Sequence, residues 1–130
     1  MSAFVDTNVL VRHLTGDPPG MAARATKWLA AETDIYLADL IVAETIYVLE
    51  SFYKAPRPQI ATAMRSLVAM RTVSTVDQAL LLRSIEIYEI DHLDFAEAYL
   101  VASAERTGIG RVASFDRAIS RVGTVEHIKP

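Results

Sequence analysis

The stretch "AFVDTNVLVRHL", residues 3–14, decides how the chain is read. Small and apolar residues lead to Asp6, two polar residues follow, and an apolar run with helical spacing then begins. That order is a short strand running into a helix. A carboxylate at this junction needs a reason, because an unpaired buried charge costs several kcal/mol. Asp6 can cap the helix, as Thr7 or Asn8 can. It can equally hold a cation together with acids from elsewhere in the chain.

The alternation that begins here continues to the end. A strand over Ala3–Asp6 is followed by a helix near Asn8–Leu14, the turn "TGDPPG", and a second helix reaching about Glu32. "DIYLAD" (Asp34–Asp39) is a second strand and Leu40–Tyr53 a long helix, broken by "KAPRP". Helices at about Pro58–Met70, Gln78–Tyr88 and Phe95–Thr107 follow. Strands at Thr72–Val76, Arg111–Ser114 and Thr124–Ile128 complete the series. Short strands alternating with helices predict a three-layer α/β/α fold whose short, mostly parallel twisted sheet is flanked by helices. With 130 residues and no linker or repeat, the expectation is one domain over 1–130.

Composition narrows the class. No window of about 18 residues is free of charge, so no membrane span is expected, and no secretory signal is visible at the N-terminus. The absence of cysteine removes disulfides and thiolate chemistry, and fits a cytoplasmic location. A net charge of −3 argues against binding nucleic acid through a general basic field. It leaves room for a protein that grips a few phosphates locally, and ten of the thirteen basic residues are Arg, the type suited to that task.

Five acids fall where strands end and helices begin: Asp6, Glu44, Asp94, Glu97 and Asp116. In an open parallel sheet these positions lie at one edge, where sites form. Two carboxylates about 4 Å apart repel by roughly 4 kcal/mol at an effective dielectric of 20. A divalent cation with hard oxygen ligands, Mg²⁺ or Mn²⁺, makes such a cluster sensible. Each acid also has a structural role open to it. Asp94 and Glu97 fit a capping box, and Asp116 can cap a short helix or pair with Arg117 or Arg121. Glu44 has the poorest structural role: it is expected to be buried and without a partner in "LIVAETIYVL". Of the three histidines, His13, His92 and His127, only His92 is expected near that edge. This disfavours metal-free RNA cleavage by a His pair.

The helix at 40–53 is apolar nearly all round. Either the next helix covers its second face, or a second subunit or partner segment does.

"VDTNVLVRHLTGD", "VAETIYVL", "LDFAEAYLVASAERTG" and "VASFDRAISRVGTV" together resemble the PIN-domain family, and within it the VapC toxins of bacterial toxin–antitoxin pairs. The resemblance implies an Mg²⁺- or Mn²⁺-dependent ribonuclease acting on structured RNA such as tRNA or rRNA, homodimeric and inhibited by a VapB-type antitoxin. It also implies metal-binding acids at Asp6, Glu44, the head of the sixth helix and Asp116, with Thr7, Asn8 and Ser114 supporting them. The third acid departs from the family pattern: Glu97-Ala98 stands where an Asp-Ala is usual, and Asp94 lies one turn earlier. Either can be the ligand, or one can orient a water beside it. Arg12 and Arg117 are candidates for gripping phosphates. A PIN fold that binds RNA or a partner without cutting is the alternative function. A phosphoacceptor receiver domain fits poorly, because Thr7-Asn8 stands where its acidic pair belongs. Phosphatases of the haloacid dehalogenase type fit no better, because Asn8 replaces their second Asp.

Overall fold

The computed structural model describes residues Met1–Pro130, which divide into two compact units, Met1–Val76 and Asp77–Pro130. Each is α/β with parallel strands flanked by helices, as the alternation predicts.

In the first unit, strands β1 (Ala3–Phe4), β2 (Ile35–Tyr36) and β3 (Val73–Ser74) pair in parallel in that order. Ala3 lies opposite Ile35, and Ile35 opposite Val73. The strands are shorter than the sequence suggests because the chain turns into a helix almost at once. The ladder still continues one step beyond them, through Val5 N–H to Tyr36 C=O at 3.1 Å and Leu37 N–H to Ser74 C=O at 2.9 Å. Ile35 is fully buried, while Phe4 and Tyr36 stand on the exposed side with ring centroids 5.5 Å apart.

Helix α1 (Thr7–Thr15) starts at Asp6, whose side chain accepts from Thr7 N–H, and ends at Gly16 in the left-handed conformation (φ 71°). A residue with a Cβ rarely adopts that angle. Its buried face is Thr7, Leu10 and Val11, the i, i+3, i+4 stripe of an amphipathic helix. Helix α2 (Pro19–Ala31) packs against it through Ala22, Ala25 and Leu29, where the two alanines permit close approach. Helix α3 (Asp39–Ser51) buries Val42, Thr45, Ile46 and Leu49, and packs on α1 and on α4 (Arg57–Ala69). Even with α4 in place, Leu40, Tyr47 and Phe52 on or beside α3 remain 78%, 66% and 75% exposed.

In the second unit, α5 (Gln78–Ile90) is capped by Asp77, which accepts from Leu80 N–H at 3.1 Å. It packs along α6 (Phe95–Thr107) with Leu81, Ile85, Ala98, Val101 and Ala102 fully or nearly fully buried. Arg83 grips Glu105 through two 2.9 Å hydrogen bonds, a bidentate tie between these helices. Helix α6 stops at Gly108, again left-handed (φ 77°). Strands β4 (Arg111–Ala113) and β5 (Glu126–Ile128) pair in parallel, with a 3₁₀ turn at Arg117–Arg121 between them. No helix is long and apolar enough to cross a membrane.

Candidate active site

The first unit brings Asp6, Thr7, Asn8, Arg12 and Glu44 to one region. The cap that starts α1 fixes Asp6: its Oδ1 accepts from Thr7 N–H at 2.9 Å, and its carboxylate is exposed. The Thr7 side chain is buried, and its hydroxyl donates a short hydrogen bond to Glu44 Oε1. That bond joins the start of α1 to the second turn of α3. Glu44 is therefore neither buried nor alone, contrary to the expectation from its apolar neighbours. The helix turns it toward solvent, and Thr45 takes the buried position beside it. Asp6, Thr7, Asn8, Arg12 and Glu44 line a cleft of about 590 Å³ alongside α1, walled on its far side by Tyr47, Phe52 and Tyr53.

Asp94, Glu97, Ser114 and Asp116 belong to the second unit. Only half of the expected capping box forms. Glu97 accepts from the Asp94 backbone N–H, but the Asp94 side chain makes no capping bond, which leaves that exposed carboxylate free of structural duty. Asp116 Oδ1 accepts from Ala118 N–H at 2.9 Å and so caps the 3₁₀ turn, while Asp116 N–H donates to Ser114 Oγ at 2.9 Å. These two bonds fix the loop that presents Asp116. The carboxyls of Glu97 and Asp116 lie close enough that each shifts the other's pKa. Two neighbouring carboxyls disfavour ionising together, so one of them holds its proton to higher pH. Burial, the Asp116 side chain and the Asp94 charge hold the Glu97 pKa above the usual carboxylate value. Asp116 is held below its usual value by Ala118 N–H and the Glu97 carboxyl, helped by the charges of Arg121 and His127.

His127, which the sequence did not place among the acids, is the histidine whose charge acts on Asp116. Parallel pairing sets it opposite Val112, and its Nε2 meets the Ser114 carbonyl at 2.8 Å. His92 is exposed and left-handed (φ 57°), and only its backbone carbonyl is engaged, by Arg121. Arg117 is exposed on the 3₁₀ turn, and Arg121 is the arginine whose charge acts on Asp116. The sequence signal for His127 was available only through strand register, which no local motif encodes.

A family model described as PIN domain matches residues 3–125. The chain belongs to the PIN domain family. The match runs across both units, and PIN domains are generally metal-dependent nucleases. No curated protein is similar enough to be matched to the chain.

Within neither unit do three or more Asp, Glu or His side chains come close enough to hold a metal ion by themselves. The donor chemistry nevertheless suits the hard divalent cation typical of PIN domains. Every candidate ligand is a carboxylate, and Glu97 and Asp116 are neighbours whose joint ionisation a cation would favour.

The raised Glu97 pKa has a measurable consequence in metal-free protein. A Glu97 pKa raised above its unfolded value of 4.5 means that the folded state binds more protons than the unfolded state between those two values. The stability contributed is complete below pH 4.5 and is lost as pH rises through the folded value. Urea midpoints measured in EDTA from pH 4.5 upward should therefore fall more steeply for this PIN domain than for Glu97→Gln. Parallel profiles would contradict the raised Glu97 pKa.

Proposed function

We propose that this PIN domain is a metal-dependent endoribonuclease, of the VapC-type toxin class, that cuts structured RNA such as tRNA or rRNA. The observation that carries the reading is the pair of acids Asp6 and Glu44 on one cleft, both tied to Thr7, in a chain that matches the PIN domain family over residues 3–125. In the proposal, Asp6, Glu44 and Asp116, with Glu97 or Asp94, hold Mg²⁺ or Mn²⁺ for one reaction. Thr7 keeps Glu44 oriented, and Ser114 keeps the Asp116 loop in shape. When bound, the cation offsets charge building on the phosphate and makes water a stronger nucleophile. Arg12 and Arg117 remain the phosphate-contact candidates. The toxin reading includes a homodimer and a VapB-type antitoxin as partners, with the exposed Leu40, Tyr47 and Phe52 as apolar surface available to them. It also includes action in the cytoplasm.

The second reading is a module that binds RNA or a partner without cutting. It is favoured by Glu97, which is longer than the usual Asp and already engaged by Asp94 N–H and Asp116. Incubation of purified protein with total bacterial RNA separates the two. Discrete fragments with Mg²⁺ or Mn²⁺, and none with EDTA, are the expected result. Intact RNA under every condition, from folded protein free of antitoxin, would replace the nuclease with the silent module.

A further inference from the structure

The larger cleft of the first unit, about 670 Å³, lies on the other side of Asp6 and is formed by β1, α1 and α2. Its lining is unusual for a chain of net charge −3. Arg24 and Trp28 stand one turn apart on α2, and Asn8 and Arg12 stand one turn apart on α1. Phe4 adds a ring that is 77% exposed, and Asp6 closes one end.

Neither arginine has a carboxylate partner, whereas Arg83, Arg106 and Arg111 all do. Arg12 Nη1 reaches only the Asn8 carbonyl at 3.3 Å, and its Nε is buried with nothing to accept its proton. A buried donor left unpaired costs free energy until an acceptor arrives. Two unpaired guanidiniums in one cleft suit anionic oxygens, and phosphate oxygens match their planar donor fork. Trp28 is half-buried and lines the cleft. An indole face beside paired cations is the combination that recognises a splayed-out base and its phosphate. A base inside a duplex already has both faces stacked and is closed to it.

We propose that this cleft binds one unpaired RNA nucleotide next to the phosphate presented to Asp6, with its base stacked on Trp28 and its phosphate held by Arg12 and Arg24. The assignment rests on the ribonuclease reading for its substrate and adds to it a base-and-phosphate subsite at Trp28, Arg12 and Arg24.

Trp28 is the only tryptophan in the chain, so its emission reports on the cleft without any need for cleavage. The test titrates full-length protein in EDTA with a single-stranded RNA hexamer, and separately with the same hexamer annealed to its complement. Saturable quenching by the single strand is expected, with the duplex at least tenfold weaker. Fluorescence anisotropy of the labelled hexamer should show Trp28→Ala binding roughly five- to hundredfold more weakly, with Trp28→Phe retaining most of the affinity. Arg24 is exposed, so Arg24→Glu leaves the fold intact and should also weaken binding. Absence of quenching, equal quenching by duplex, or unchanged affinity in Arg24→Glu would overturn the assignment. Quenching by a protein that never cuts RNA would reject the nuclease reading while retaining the cleft. Cutting without quenching would do the reverse.

Discussion

Asp6→Asn is expected to lower the rate of RNA cleavage at least a thousandfold, about 4 kcal/mol in activation free energy, while leaving the fold in place. The substitution isolates charge from structure. Asp6 caps α1 through one 2.9 Å hydrogen bond to Thr7 N–H, and Asn is an equally good N-cap. The side chain is exposed, so no cavity forms and no buried partner is orphaned. The only structural loss is the favourable charge at the helix N-terminus, which limits the change in unfolding free energy to about 1 kcal/mol. Single-turnover cleavage and urea denaturation on the same preparation read both quantities. A variant that cuts at the wild-type rate would remove Asp6 from the metal-binding set.

Ile85→Ala is expected to cost about 2–5 kcal/mol of stability, which is a large share of the 5–15 kcal/mol typical of a domain. Ile85 is fully buried on α5, the helix that packs along α6. Since α6 carries Asp94 and Glu97, this packing also sets where those carboxylates stand. Ile90, at the exposed end of the same helix, is the control: it is 66% exposed, and Ile90→Ala should change stability by under about 0.5 kcal/mol. Urea midpoints with unchanged slope test the pair, and equal losses at both positions would contradict the packing described.

Much of this was legible in the sequence, and the misses have physical causes. Helix α6 runs from Phe95 to Thr107 as the sequence suggests, because Glu97 serves the Asp94 N–H in its first turn and a left-handed Gly108 closes it. The strands are one to four residues shorter than the sequence suggests; at β1 this is because the Asp6 cap begins the helix while the backbone is still extended. The apolar neighbours of Glu44 suggest burial all round, yet the residue is exposed. In fact α3 exposes Leu40 and Tyr47 on its solvent side along with Glu44. His127 was passed over because its approach to Asp116 follows from the β4–β5 register and the Ser114 carbonyl, both of which are long-range. The capping box at Asp94 was half right: the backbone of Asp94 uses Glu97, and the Asp94 carboxylate stays free.

The central claim is that the carboxylates of both units serve one metal-dependent reaction. Its most direct test is the single-turnover rate of RNA cleavage in Mg²⁺ for wild type, Asp6→Asn, Asp116→Asn and the double variant. Groups that act as a unit are strongly non-additive. The account predicts that each single substitution removes nearly all activity and that the double variant is no slower than the worse single by more than a few-fold. Either single variant cutting at the wild-type rate, or two partial losses that multiply in the double variant, would contradict it.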